Sequence, residues 1–305
     1  MAYSIKQARA TRLVVSVAIV VGGITPPRAD GWQAEPARLN PKSPEVQQTA
    51  QRAGKWLLAK QLPSGNWTFS ESGGSYDPGA TALAGLALVE SGIPKTHPSI
   101  QKAAQYLRTE LARKSSYTAI YTYDAATVTL FLDKLNEPGD TQLLVSLLTA
   151  LRNAQNADGG WGYYVTAGSG ADAEKQRAGS DNSNTQFAVI ALLAGRERIT
   201  GVDDVLERAA RRFLSTQDKL RSGWGYKGDF APSVSMTAAG LIAIGAAHAC
   251  DRVPAELVLG AAERQPNLAL VATPVGRALA YIERDLPLHH ARSRELIANK
   301  GQRSN

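Results

Sequence analysis

Acidic and aromatic residues stand at the start of three apolar segments of this chain, and they are the groups best suited to chemistry. Asp77 begins one such segment, Asp181 begins another, and Asp124 precedes the third. Paired carboxylates can act as acid and base on a glycosidic bond. We therefore consider as candidate catalytic residues Asp77, Asp124 and Asp181, and as candidate ligand-binding residues Tyr121, Tyr123, Asn184 and Tyr226.

The same residues also have a structural interpretation, because aspartate at the start of a helix accepts hydrogen bonds from backbone N–H groups. The two interpretations predict different geometry. If two of the three carboxylates lie within about 10 Å of each other in one pocket, a two-carboxylate mechanism becomes possible. If each carboxylate caps its own helix and points away from the others, the enzyme interpretation is disfavoured.

Patterns for metal binding and for nucleophilic catalysis are weak. His248 and Cys250 lie together at the end of an apolar segment, and the remaining histidines are His97, His289 and His290. A zinc site needs at least three suitable ligands, and this spacing does not supply them, so Cys250 is expected to be a small buried hydrophobe. We predict no metal and no cofactor.

The elements that must position these residues are helices of two kinds. Amphipathic segments are predicted at 44–61, 98–113, 141–154, 202–215 and 273–286. Segments that are apolar on nearly every side lie between them, at 82–89, 125–132, 187–194 and 238–250. A helix that is apolar all round must be buried all round. The alternation, at a period of about 50 to 60 residues, predicts an all-α protein with an inner and an outer layer.

A helix end followed by a glycine turn and a tryptophan recurs along the chain. Gln61, Gly65 and Trp67 are spaced as Gln155, Gly159 and Trp161 are, and each set follows a leucine at the helix end. A third copy, Gln217 to Trp224, has a shifted spacing and a longer turn, and 106–117 reads as a decayed copy. We expect these residues to be structural joints between helices: Gln61, Trp67, Gln155, Trp161, Gln217 and Trp224.

These joints resemble the glutamine–tryptophan repeat of the triterpene cyclases, such as squalene–hopene cyclase, and of the related prenyltransferase β-subunits. The resemblance covers most of the chain from about Glu45 to Cys250. It implies an α/α toroid, in which inner helices surround a cavity and outer helices wrap them. It also implies that a ligand would lie at the N-terminal ends of the inner helices, where unpaired N–H groups favour anions.

The catalytic motifs of those families are not matched. The cyclases carry Asp-x-Asp-Asp-Thr-Ala, which protonates an alkene, whereas this chain has Gly79 and Ala80 in place of the two central carboxylates. The zinc ligands of the prenyltransferases are also not matched. The resemblance therefore implies the fold without the reaction.

The ring is predicted to be incomplete. A closed toroid needs about six helix pairs, whereas four pairs precede the amphipathic segment 273–286, after which the chain becomes polar and basic. An open ring exposes apolar helix surface, which favours self-association.

The N-terminus has the pattern of an export signal. Lys6, Arg9 and Arg12 precede an apolar run from Leu13 to Ile24, and Ala29 is a plausible cleavage site. We predict a periplasmic or extracellular protein divided into a signal peptide (1–29), a linker (30–44), the repeat domain (45–286) and a basic tail (287–305). Cleavage removes four positive charges from the total of +7 and leaves +3. The sequence of the repeat domain shows no cluster of basic residues of the kind that indicates nucleic-acid binding.

Two functions follow from these patterns. The first is a non-catalytic binding or scaffold module that holds a lipid-like ligand, a glycan or a protein partner at the inner-helix ends. The alternative is a cryptic enzyme that acts on an isoprenoid or a polysaccharide. A long loop from Val165 to Asn182 is expected to be a lid or a binding element, with disorder as the alternative.

Overall fold

The computed structural model describes residues 43–68, 76–114, 120–165, 179–254, 273–282 and 284–285. Within these ranges the long elements are helices, and two isolated β-bridges are the extended pairings. We number the helices α1 (Pro44–Lys60), α2 (Asp77–Glu90), α3 (Pro98–Lys114), α4 (Thr122–Leu135), α5 (Thr141–Asn153), α6 (Asn182–Ala194), α7 (Val202–Thr216), α8 (Val234–His248) and α9 (274–282). The all-α prediction is confirmed.

The apolar helices form the inner layer. Helices α2, α4, α6 and α8 pack in chain order, each against the next. Their small residues allow close approach: a Cβ atom on Gly85 would lie 2.7 Å from the Phe131 ring of α4. The inner layer is therefore an arc of closely packed helices, as an α/α toroid requires.

The amphipathic helices form the outer layer. Helix α5 packs against α4 and α6, and α7 packs against α6 and α8. On α3 the residues predicted to face the core are fully or almost fully buried: Ile100, Ala103, Ala104, Leu107 and Leu111. Burial of each leucine or isoleucine side chain stabilises the fold by about 1.5–3 kcal/mol.

The inner helices begin earlier than their apolar runs predicted. Helix α4 starts at Thr122 rather than at Ala125, and α6 starts at Asn182 rather than at Phe187. The first turn of α6 is capped by the Asp181 side chain, whereas α4 has no side-chain cap and Thr122 donates to the carbonyl of Gly162 instead. Periodicity shows neither arrangement. The candidate acids and tyrosines consequently lie within or beside the first turns of helices.

Several predicted segments lie outside the described residues: the export signal, the linker as far as Lys42, most of the loop between Val165 and Asn182, and the basic tail. Among the described helices, none combines the length and apolar character needed to cross a bilayer.

Candidate ligand site at the ends of the inner helices

Three glycine turns share one hydrogen-bonding pattern around a buried tryptophan. The indole N–H groups of Trp67, Trp161 and Trp224 donate to carbonyls of the preceding outer helix, at 2.9, 2.7 and 2.8 Å. The three side chains are 6%, 0% and 2% exposed. Each turn is therefore attached to its own outer helix, and we call it a joint.

A threonine of the following inner helix holds each joint from the other side. The backbone N–H groups of Trp67, Trp161 and Trp224 donate to the hydroxyls of Thr81, Thr185 and Thr237, at 3.1, 3.0 and 3.1 Å. These threonines are fully buried. They link the joint to the inner layer, so they are unavailable as ligand contacts.

The joint glutamines connect successive outer helices. Each amide donates within its own turn and to the first turns of the next outer helix. The acceptors in that helix are the carbonyls of Ser99 for Gln61, Val205 for Gln155 and Pro274 for Gln217, at 2.8, 2.9 and 2.8 Å.

The third joint differs from the others only within its turn. Its indole donor finds the carbonyl of Phe213, which stands four residues before Gln217, as Leu151 stands four residues before Gln155. The shifted spacing expected at the helix end is therefore wrong. The extra residue lies between Gln217 and Trp224, and the turn accommodates it.

The three candidate carboxylates serve three different structural contacts. Asp181 caps α6 by accepting the Asn184 backbone N–H at 2.7 Å and the Asn184 side-chain amide at 2.8 Å. Asp124 is 1% exposed and accepts the N–H of Gly79 at 3.0 Å, so it caps the neighbouring helix α2 rather than its own. Asp77 accepts the amide of Asn66, in the first joint, at 3.0 Å.

The helix ends that were expected to favour anions already have acceptors. Asp124 caps α2, Asp181 caps α6, and Ser233 accepts the N–H of Met236 at 3.3 Å at the start of α8. Asn184 belongs to one of these caps and is 7% exposed. The N-terminal ends of α2, α6 and α8 therefore have side-chain acceptors, whereas the cap residue of α4, Tyr121, makes no side-chain cap hydrogen bond.

Tyrosines gather around these helix ends. Tyr76 and Tyr121 are the cap residues of α2 and α4, and their ring centroids are 5.2 Å apart. Tyr164 stacks on Tyr121 at 4.8 Å and pairs with it in an isolated bridge. A hydrogen bond with Tyr121 raises the pKa of Tyr164. The three rings are thus contiguous, with Tyr121 stacked on Tyr164 and tilted by 34° against Tyr76.

Tyr123 extends this group toward α6. Its ring meets Phe187 edge-on at 4.7 Å, and a Cβ atom on Gly79 would lie 2.6 Å from it. Burial, reinforced by the charge of Asp124, raises the pKa of Tyr123. Glycine at position 79 therefore makes room for an aromatic ring at the site where the cyclase motif has a carboxylate.

The third group lies at the entrance to α6. The hydroxyls of Tyr163 and Tyr226 are 2.6 Å apart, and Tyr226 packs edge-on against Phe230. Burial, the hydrogen bond with Tyr163 and the charge of Asp181 raise the pKa of Tyr226. We call the whole set the tyrosine band: Tyr76, Tyr121, Tyr123, Tyr163, Tyr164 and Tyr226.

An apolar surface continues from the tyrosine band along the inner helices. Half-buried apolar residues recur every three or four positions along these helices, and most of them also pack against the core. We call them the inner stripe: Leu83, Leu86, Leu130, Phe187, Ile190, Ala238 and Ile242. Polar aromatic rings thus stand at one end of an aliphatic surface.

The second joint contains an ion pair that the sequence did not indicate. Arg212 is 8% exposed and donates to Asp158 at 3.2 Å and to Asn182 at 2.8 Å. Burial opposes ionisation of Asp158. Hydrogen bonds from Ser180 and the Gly160 N–H, together with the charge of Arg212, outweigh burial and lower its pKa.

The region around His248 and Cys250 has structural contacts. His248 Nδ1 donates to the carbonyl of Val253 at 2.8 Å, and burial raises the pKa of the Cys250 thiol to about 11. Within the described ranges, no group of three His, Cys, Asp or Glu side chains is placed to hold a metal ion.

Sequence reasoning identified Tyr121, Tyr123 and Tyr226 but missed half of the tyrosine band. Tyr163 and Tyr164 directly follow the second joint, and their backbones pair with the entrance to α4: the Thr122 N–H donates to the Tyr163 carbonyl at 2.8 Å. Tyr76 directly precedes Asp77. In the sequence, these three tyrosines could have been found from their positions directly beside motifs that were already recognised.

The comparisons with known proteins agree with this architecture. The family model described as squalene-hopene cyclase C-terminal domain matches residues 87–237, about half of the chain. The matched range runs from the end of α2 into α8 and includes the second and third joints. No curated protein matches the sequence.

Proposed function

Because the chain belongs to the squalene cyclase and prenyltransferase superfamily, we propose that it uses this helical fold as an exported, non-catalytic binding module. Its ligand is amphipathic and lipid-like. The polar head lies against the tyrosine band, and the apolar part lies along the inner stripe.

The observation that carries this proposal is the continuity of the two surfaces. Tyr123, in the band, contacts Phe187, in the stripe, with ring centroids 4.7 Å apart. Tyrosine presents an apolar ring and a polar hydroxyl, so it suits the boundary between the two parts of an amphipathic molecule. The exposed rings at this end, Tyr76 at 56% and Tyr163 at 50%, leave area for a head group.

The hydrogen bonds of the three carboxylates favour binding over catalysis. Protonation of an alkene needs a strong, protonated acid whose proton points at the substrate. Asp181 accepts from Asn184, Asp124 from Gly79, and Asp77 from Asn66. In each of these bonds the carboxylate oxygen accepts from a group of the fold, so each bond serves as a structural contact.

Export rests on the pattern at the N-terminus, where basic residues precede a short apolar run and Ala29. N-terminal sequencing of the protein recovered from the periplasm or medium should begin near Asp30. A mature protein that still begins at Met1 or Ala2 would contradict export by cleavage.

Thermal denaturation with three probes tests the ligand class. Dodecyl maltoside, below its critical micelle concentration, should raise the melting temperature of the full chain, because it engages both surfaces. Maltose alone and dodecanol alone should raise it less. A shift with maltose equal to that with dodecyl maltoside would indicate a glycan site and contradict the amphipathic ligand, as would the absence of a shift with all three.

A pair of matched variants separates specific binding from detergent effects. Ile190→Asn changes the inner stripe, and Leu220→Asn changes a side chain that is 94% exposed in the third joint. We expect the shift to be lost in Ile190→Asn and kept in Leu220→Asn. Equal shifts in both variants would mean that the detergent binds elsewhere.

A further inference from the structure

Helix α1 is an outer helix with an uncovered flank. Its one buried residue is Gly54, whereas α7 buries seven residues, among them Val205, Ala209 and Arg212. Both helices occupy the same place in the repeat, because each ends in a joint. The difference in burial between the two helices therefore comes from what packs against each of them.

Helix α7 shows how an outer helix receives the joint that precedes it. The Val205 carbonyl accepts from the Gln155 side-chain amide at 2.9 Å, and Arg208 donates to the side-chain oxygen Oε1 of Gln155 at 2.7 Å. A Cβ atom on Gly159 would lie 2.5 Å from the Arg208 carbonyl, so the glycine turn rests directly on the helix. Ala209 is fully buried, and Arg212 contacts the turn at Asp158.

The same four positions recur on α9. The Pro274 carbonyl accepts from Gln217 at 2.8 Å, and Arg277 donates to the same glutamine at 2.9 Å. Ala278 is fully buried, and the Tyr281 hydroxyl donates to the Pro232 carbonyl at 2.8 Å. We call these four positions the joint socket: an accepting carbonyl, a basic residue, a small residue and a large residue.

Helix α3 repeats the joint socket and α5 departs from it. On α3 the four residues are Ser99, Lys102, Ala103 and Tyr106, and the Ser99 carbonyl accepts from Gln61. On α5 they are Leu143, Ser146, Leu147 and Ala150. The segment before α5 has no joint glutamine, and the four positions on α5 include no basic residue. A basic second position therefore accompanies a glutamine in the preceding joint.

Helix α1 carries a complete joint socket at the same spacing, namely Thr49, Arg52, Ala53 and Trp56. All four residues are exposed, and Trp56 reaches 61%. Ala53 is exposed, whereas the small residues at this position on α3, α7 and α9 are fully buried. The exposed flank thus has the residue types that elsewhere in this chain bind a glutamine-bearing glycine turn.

We propose that the joint socket of α1 is a docking surface for a separate polypeptide of the same repeat type, which inserts a glutamine-bearing glycine turn. The residues before α1 contain Gln7 and Gln33, and neither is followed by a glycine at the joint spacing. A second copy of the chain does not supply a joint either. Its Gln61, Gln155 and Gln217 are already bound by its own next outer helices.

A peptide that copies residues 141–162 of this chain, with its outer helix and second joint, tests the proposal. It is labelled with a fluorophore and held helical by a staple between the exposed positions of Gln142 and Ser146. Fluorescence polarisation should show saturable binding to the full chain. Gln155→Ala in the peptide should weaken binding by at least about 10-fold, because it removes the amide that the socket accepts.

The protein variants locate the binding surface. Trp56→Glu should weaken peptide binding by at least about 10-fold, whereas Leu220→Glu, at an exposed apolar residue remote from α1 in the chain, should change it less than about 2-fold. Absence of saturable binding overturns the proposal. An affinity that does not change when Trp56 of the protein or Gln155 of the peptide is substituted also overturns it. In light scattering, a dimer of the full chain that Trp56→Glu dissociates would identify a second copy as the occupant instead.

Discussion

Trp161 is the residue on which the second joint is organised. It is fully buried, its indole donates to Leu151 at 2.7 Å, and its backbone N–H donates to Thr185 at 3.0 Å. One side chain therefore attaches an outer helix, a turn and an inner helix to each other. Loss of the ring leaves a cavity and removes the hydrogen bond from the turn to the outer helix.

Replacement of this ring should be costly. We expect Trp161→Ala to lower the free energy of unfolding by about 3–5 kcal/mol, as other buried aromatic truncations do. Trp56→Ala is the matched control, since Trp56 is 61% exposed, and it should change the free energy by less than about 0.5 kcal/mol. Urea denaturation measures both. Similar losses in the two variants would refute the structural role of Trp161.

The importance of Asp158 is not visible when the sequences of the joints are aligned. The first joint has Ser64 at this position, which suggests that the aspartate is dispensable. In the structure the aspartate pairs with Arg212, and the first joint has Tyr106 where the second has Arg212. The ion pair is therefore particular to the second joint, because serine and tyrosine at these positions of the first joint carry no opposite charges.

The lowered pKa of Asp158 predicts a pH dependence. Its contribution to stability is fully present above its ordinary pKa of 3.8 and is lost as pH falls through the lower folded-state value. The difference in melting temperature between the parent and Asp158→Asn should therefore be largest near neutral pH and disappear as pH falls through the lowered folded-state pKa. Asp229→Asn, at an exposed position, should show no such trend. A difference that persists unchanged into acid would contradict the ion pair.

At the scale of elements, the joints set the spacing of the outer helices. Gln155 donates to its own turn and to Val205 on α7, each at 2.9 Å. A hydrophobic side chain at this position would leave both carbonyls without their partner. The turn itself also resists substitution, because Gly159 has a φ of +83° and lies directly on α7.

We expect Gln155→Leu to lower the free energy of unfolding by about 1–3 kcal/mol, the cost of leaving partly buried acceptors unpaired. Gln142→Leu, on the exposed side of α5, is the control and should have little effect. Chemical denaturation compares the two. An equal effect of both substitutions would indicate that the Gln155 amide does not link α5 to α7.

The helices could be predicted because the spacing of apolar residues along the sequence follows directly from which face of a helix is buried. The amphipathic and apolar segments, the two layers and the family resemblance are all confirmed. The first turns of the inner helices were not predictable in this way, because Thr122, Asp124 and Asn182 are polar and bond to residues distant in the chain, namely Tyr163, Gly79 and Tyr226. The register of the third joint was also missed, because the extra residue lies within an irregular turn.

At the scale of the whole molecule, the tyrosine band could be predicted only in part. Tyr121 and Tyr123 precede an apolar helix and were visible from the sequence. Tyr163 joins them because the second joint returns the chain to the start of α4, where its carbonyl accepts the N–H of Thr122. Such a contact between distant segments depends on the packed arc of inner helices, and no pattern in the nearby sequence indicates it.

The central claim is that this end of the molecule binds through tyrosines while its carboxylates stabilise the fold. Calorimetric titration of dodecyl maltoside into the parent, Tyr121→Leu and Asp77→Asn tests it most directly. Tyr121→Leu should weaken binding by at least about 10-fold, and Asp77→Asn should remain within about 2-fold of the parent. Equal affinity for Tyr121→Leu and the parent, or loss of binding in Asp77→Asn alone, would contradict the account.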